Sequence, residues 1–204
     1  RWLEGLDLPS NMPLINVSQA APIDPPPEPL RQAMAEALLT EPEAHLYGPV
    51  LGLPALREEL ATQWSSAYGG SVRPDQVAIT SGCNQAFTAA ITALAGEGDE
   101  VILPVPWYFN HKMWLDMAGV KTVPLRTGEG LLPDADACKA LMTPRTRAIV
   151  LVSPNNPGGV EYPAALLSKF RDLARSAGVA HIVDETQTGM TPSSTSTLFQ
   201  KPIG

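Results

Sequence analysis

The chain has 204 residues and a net charge of −7, from 14 Lys and Arg against 21 Asp and Glu. Hydrophobic residues make up 44% and charged residues 17%, which fits a soluble globular protein, and the acidic balance argues against a nucleic-acid surface, which needs a basic stripe. No run of about 18 apolar residues occurs, so no membrane span is expected, and the opening RWLEGLDLPS has no apolar core of a signal peptide.

Residues 1–27 are irregular and proline-rich, and the run PIDPPPEP reads as an extended, polyproline-like arm. Helical periodicity begins at Glu28 and runs to Thr40, with Leu30, Met34 and Leu38 on one face. After a turn at YGPVLG, a second helix is predicted from Leu53 to Gly70, with Pro54 in its first turn and Gly69-Gly70 as its stop. From Gln76 onward, short apolar runs alternate with amphipathic stretches. Strands are expected at 77–80, 100–105, 120–125, 147–154 and 179–185, and helices at 82–96, 108–119, 134–142 and 163–178. Continuous apolar strands separated by helices indicate an α/β fold with a mainly parallel sheet covered on both faces. The stretch after Thr186 has no period and reads as a surface loop, so the sheet looks unfinished at its C-terminal end.

Ligand-binding loops of an open α/β sheet lie at the carboxyl ends of its strands. Taken in order, those ends are TSGCN (80–84), PVPWYFN (104–110), SPNNPGG (153–159) and DETQ (184–187). The first opens a helix, where free amides and the helix dipole suit a phosphate; otherwise Ser81 is simply an N-cap. The second offers Trp107, Tyr108 and Phe109, either a platform for a planar ring or ordinary core residues. The third sets two amides, Asn155 and Asn156, before a Pro-Gly-Gly turn; they either donate to a ligand oxygen or close an Asx turn. The fourth places Asp184 after an apolar run, where a carboxylate is costly unless paired. It can hold a proton on a heterocyclic nitrogen, or it belongs to a structural ion pair.

Neither GxGxxG nor GxxxxGK[ST] is present, which argues against a dinucleotide or nucleoside-triphosphate site. Cys83 and Cys138 cannot form a disulfide framework, and His45, His111 and His181 are scattered. A reducing, cytoplasmic compartment without a zinc site is expected. Cys83 reads as a small turn residue, His111 as a helix-surface or packing residue, and Glu185 as a surface residue.

Six segments in order resemble fold-type I pyridoxal-phosphate enzymes, in particular class I/II aminotransferases. They are INVSQAAP (15–22), LYGPVLGLPALREELA (46–61), VAITSGCNQAF (77–87), EVILPVPWYFNH (100–111), AIVLVSPNNPGG (148–159) and HIVDET (181–186). The resemblance implies an aminotransferase-like large domain, incomplete at its C-terminus, over residues 46–204, with an arm and first helix on the small-domain side over 1–45. It implies the cofactor pyridoxal 5'-phosphate, an amino acid and a 2-oxo acid as substrates, and a homodimer when the enzyme is complete. By position, Gly82, Cys83 and Asn84 would hold the cofactor phosphate, Tyr108 would stack on its ring, Asn156 would bond its phenolic oxygen and Asp184 its ring nitrogen. Tyr47 resembles the tyrosine that reaches a partner's cofactor phosphate, and Ala20 lies where the arm passes the substrate carboxylate. The resemblance marks Asp184 and Tyr108 as the catalytic positions.

Two departures stand out. Gln187 occupies the position where the family usually has a tyrosine, three residues after the aspartate. The lysine that binds the cofactor as a Schiff base has no counterpart: Lys112, Lys121, Lys139 and Lys169 precede Asp184, and Lys201 lies in FQKPIG rather than a Ser-x-x-Lys context. The alternative reading is therefore a truncated or pseudoenzyme chain that acts only by binding a ligand or partner.

Overall fold

The computed structural model describes residues 24–188, together with Gly5, Pro9, Asn11 and Ile15. Ala20 and the stretch from residue 189 onward lie outside the described residues. The chain forms two compact units, residues 1–47 and 48–204.

In the first unit, helix α1 (Glu28–Thr40) starts with a proline in its first turn and carries no buried residue. Its apolar positions Leu30, Met34 and Leu38 are all more than half exposed. A 3₁₀ turn at Pro42–His45 follows, held by the His45 ring, whose Nε2 lies 2.9 Å from the Leu38 carbonyl.

The second unit opens with α2 (Pro54–Tyr68), which ends where Gly69 adopts φ 64°, a left-handed conformation that glycine takes without steric cost. Then come α3 (Cys83–Leu94), β1 (Glu100–Val105), α4 (Phe109–Met117), β2 (Lys121–Arg126), α5 (Ala135–Leu141), β3 (Thr146–Val152), α6 (Ala164–Ala177) and β4 (Ala180–Asp184). The four strands form one sheet in the order β2-β1-β3-β4, and every neighbouring pair is parallel.

Both faces of the two central strands are covered. Val101 and Leu103 of β1, with Ala148 and Val150 of β3, pack against Phe87 and Ile91 of α3 and Leu115 of α4. Ile102, Ile149 and Leu151 face the other way, onto Cys138 of α5 and Leu167, Phe170 and Ala174 of α6. Side chains alternate across a strand, so burial on both faces requires an unbroken apolar run, and EVIL and AIVLV supply it. Each fully buried large side chain of this kind contributes about 1.5–3 kcal/mol.

One expected strand is absent among the described residues. Segment 77–80 is apolar, but it joins no ladder. Its Ile79 N–H donates instead to the Leu51 carbonyl at 3.0 Å, and the Ile79 side chain sits against Gly52, where a Cβ would overlap it. A strand exists through its partner, and β-branched composition alone does not provide one.

Candidate functional site

The chain leaves β1 toward β2 on one side and β3 toward β4 on the other, so the strand order reverses between β1 and β3. A crevice opens at the carboxyl ends of the strands at such a switch point. Here it is a cleft of about 250 Å³ lined by residues from four separate segments, among them Gly82, Cys83, Asn84, Tyr108, Asn156 and Asp184. Six of the eight positions singled out from the sequence thus come together. Tyr47 belongs to the first unit and is fully exposed, and Ala20 is outside the described residues.

The N-terminus of α3 forms one wall. Its N-cap is Gly82 rather than Ser81, and no side chain caps it. The Ser81 alternative fails because its hydroxyl accepts from no first-turn amide; the Ser81 N–H donates to the Gln85 carboxamide oxygen, one turn on. Gly82 has φ 87° and ψ 168°, a backbone region open essentially to glycine alone, and a Cβ there would meet no atom within 4 Å. The first-turn amides of α3 are therefore presented without a side-chain acceptor, as an anion requires.

The aromatic trio divides three ways. Tyr108 lines the cleft, Trp107 packs on the core beside Phe87 and Leu115, and Phe109 is mostly exposed. Tyr108 is the N-cap of α4, and its hydroxyl accepts from Asn110 Nδ2 at 2.7 Å. The same Asn110 amide lies 3.3 Å from Asn84 Oδ1, tying Tyr108 to the first turn of α3.

The two amides of the NNPGG loop also divide. Asn155 is buried; its Oδ1 accepts from the Gly158 N–H at 2.8 Å, the Asx turn expected of a loop closure. A Cβ on Gly158 would stand 2.7 Å from that Oδ1, so the glycine is part of the turn. Asn156 instead faces the cleft. The Asx-turn reading holds for Asn155, and Asn156 stands on the cleft wall.

Asp184 ends β4 beside Val152 of β3 and is buried. Its Oδ1 accepts from the Thr186 N–H at 2.9 Å and the Thr186 hydroxyl at 2.6 Å. Its Oδ2 lies 3.1 Å from His111 Nε2. Burial alone would raise the Asp184 pKa, but the hydrogen bonds from His111 and Thr186 outweigh it, and the carboxyl is held well below the usual carboxylate range. The cleft therefore contains a carboxylate that stays ionised at neutral pH.

Two sequence expectations are corrected here. His111 is neither a surface residue nor mere packing; it is 1% exposed, stacked on Phe87 with ring centroids 4.0 Å apart, and paired with Asp184. Glu185 is not a surface residue, since it accepts from the Tyr68 hydroxyl at 2.7 Å in a part-buried setting. Asn110 carried no expectation at all. The spacing Tyr108-x-x-His111 offered a signal, because positions three apart at a helix start share a face.

Gln187 lines the cleft. Cys83 does too, and burial pushes its thiol pKa up, which suits a turn residue better than a nucleophile. No described lysine lines the cleft: Lys112 pairs with Asp116, Lys121 with Glu100 at the opposite end of the sheet, and Lys139 and Lys169 stand on α5 and α6.

Residues 12–200 match the family model for aminotransferase class I and II. Aspartate/prephenate aminotransferase of Thermus thermophilus is 34% identical over 163 residues, 79% of this chain and 42% of that protein. Probable N-succinyldiaminopimelate aminotransferase of Mycobacterium tuberculosis is 34% identical over 175 residues, 84% and 44% of the two chains. Among solved structures, a Thermus thermophilus aspartate aminotransferase mutant superposes with a TM-score of 0.80 at 34% identity, covering 85% of this chain and 48% of that one. An alanine aminotransferase from Pyrococcus furiosus gives 0.76 at 31% identity, covering 84% and 46%. The chain thus spans less than half the length of these relatives. An α/β sheet of this order, a cleft at its switch point and a match over residues 12–200 agree, and the chain belongs to the class I and II aminotransferase family.

Proposed function

We propose that this chain supplies the cofactor-binding half of a pyridoxal-phosphate-dependent enzyme that transfers an amino group between an amino acid and a 2-oxo acid. The observation that carries the reading is Asp184, a buried carboxylate held ionised by His111 and Thr186 in the same cleft as an uncapped helix N-terminus.

The donor set fits the cofactor. A phosphate suits the turn at Gly82, Cys83 and Asn84: the Gly82 N–H donates to the Thr80 carbonyl at 2.8 Å, the first-turn amides of α3 at Cys83 and Asn84 supply the donors, and the space beside Gly82 is open. A planar ring suits the face of Tyr108, a phenolic oxygen suits the Asn156 amide, and a ring nitrogen suits Asp184. When bound, the cofactor supplies an electron sink for the carbon that bears the amine. The work of this chain is to prepare that sink. Asp184 would hold a proton on the ring nitrogen by a charge-assisted hydrogen bond. His111 and Thr186 hold the carboxylate in place and ionised. Asn110 fixes the Tyr108 hydroxyl, and through it the ring that would cover the cofactor.

Residues 1–45 are read as the arm and first helix on the small-domain side and 46–204 as the large-domain part. A homodimer is supported by the apolar stripe on α1 and by the exposed Tyr47. The free cysteines Cys83 and Cys138 support a cytoplasmic setting, and no helix among the described residues is long and apolar enough to cross a membrane.

The test is amino transfer in the intact protein, followed as movement of ¹⁵N from a panel of amino acids to 2-oxo acids. Asp184→Ala should lower turnover by at least about a hundredfold. Undiminished turnover in that variant would overturn the reading.

A further inference from the structure

Asp184 and Glu185 are consecutive, yet each is anchored on a different helix. Asp184 meets His111 of α4 at 3.1 Å. Glu185 Oε2 accepts from the hydroxyl of Tyr68, the last residue of α2, at 2.7 Å. The turn that follows β4 is tight: Thr186 N–H and hydroxyl return to Asp184 Oδ1, and the Thr188 N–H donates to the Glu185 carbonyl at 2.9 Å. The Ser153 N–H donates to the Asp184 carbonyl at 3.0 Å and ends the β3–β4 ladder there. Beyond that point Tyr68 is a tie from a distant part of the chain onto the turn.

One peptide unit separates the two carboxyl-bearing residues, so the turn cannot rotate at Glu185 without redirecting Asp184. Burial raises the Glu185 pKa, the Tyr68 hydrogen bond lowers it, and the neighbouring Asp184 charge raises it. Burial and the Glu185 bond raise the Tyr68 phenol in turn, so the phenol stays the donor through neutral pH. A carboxyl in that setting is costly to leave without its partner.

We propose that Tyr68 and Glu185 are positioning residues for Asp184: the phenol–carboxyl bond fixes the turn after β4 and thereby aims the Asp184 carboxylate at the ring nitrogen of the bound cofactor. The aim toward the ring nitrogen rests on the cofactor reading above. The anchoring of Asp184 does not.

The experiment compares Tyr68→Phe, Glu185→Gln and Glu185→Leu with the parent chain. Three readouts are taken: thermal midpoint, the NMR resonance of the His111 imidazole N–H that faces Asp184, and the affinity for pyridoxamine phosphate. Tyr68→Phe and Glu185→Leu should both shift or broaden the His111 resonance and weaken pyridoxamine phosphate about threefold to tenfold. Glu185→Gln keeps an acceptor for the phenol and should stay within about twofold of the parent on affinity, with the resonance in place. A lower thermal midpoint with the resonance and the affinity both unchanged would show a merely structural tie and overturn the proposal. So would a Glu185→Gln variant as impaired as Tyr68→Phe. Should Tyr68→Phe not fold, Glu185→Leu against Glu185→Gln poses the same question. If the parent chain does not bind pyridoxamine phosphate but the His111 resonance still responds to Tyr68→Phe and not to Glu185→Gln, the anchoring of Asp184 stands and the cofactor reading fails.

Discussion

Replacing His111 with phenylalanine removes one partner of a buried carboxylate and little else. Phenylalanine keeps a flat ring beside Phe87, which now stacks on the imidazole at 4.0 Å between centroids. What is lost is the contact from Nε2 to Asp184 Oδ2 at 3.1 Å. Leaving a buried carboxylate without its partner costs about 3–5 kcal/mol when nothing else compensates. Here Thr186 still supplies two hydrogen bonds, at 2.9 and 2.6 Å, so about 2–4 kcal/mol is expected. For a chain of this size that is a fall in Tm of roughly 4–16 °C. The loss should also depend on pH, with a sign that follows from linkage. The Asp184 carboxyl is held below its ordinary range in the folded chain, so its ionised form contributes stability above its unfolded value, about 3.9, and that contribution fades as pH falls through the lower folded value. The gap between parent and His111→Phe should therefore be widest near neutrality and narrow below about pH 4. Urea unfolding followed by circular dichroism, at a series of pH values, measures it. A His111→Phe variant as stable as the parent at pH 7, or a deficit that does not narrow in acid, would refute the reasoning.

Gly82→Ala should cost about 1–3 kcal/mol from backbone strain at φ 87°, with no steric clash to relieve, and should weaken phosphate-bearing ligands; thermal melts with and without pyridoxamine phosphate separate the two effects. Burial, helped by the Asp134 charge, pushes the Cys138 thiol from 9.0 to about 11. Burial likewise pushes the Tyr162 phenol from 10.0 to about 12. Both groups stay protonated longer in the folded chain than in the unfolded one, so stability is full below about pH 9 and should fall as pH rises from there toward 12. Urea midpoints that stay flat or rise over that window would contradict this.

Much of the molecule is legible in the sequence because its determinants are local. Helix α1 needs only its 28–40 periodicity, and β1 and β3 only their unbroken apolar runs. The switch-point cleft follows once parallel strands are inferred, and with it the meeting of Gly82, Tyr108, Asn156 and Asp184. The features that escaped depend on a partner elsewhere in the chain. Segment 77–80 has strand composition but no ladder among the described residues. His111 and Glu185 look like ordinary helix and loop residues until Asp184 and Tyr68 are placed beside them. Composition cannot say which amide of an Asn-Asn pair turns inward; the loop decides it, since Asn155 is consumed by the Gly158 N–H and Asn156 is left facing the cleft.

The most direct test of the cofactor reading is a fluorescence titration of the parent chain and of Asp184→Ala with pyridoxamine phosphate, which needs no Schiff-base lysine. A hydrogen bond to a charged group contributes about 1.5–3 kcal/mol, so saturable binding by the parent and affinity at least about tenfold weaker in Asp184→Ala are expected. Equal affinity in the two chains would contradict the assignment of Asp184 to the ring nitrogen, and with it the central claim about this cleft.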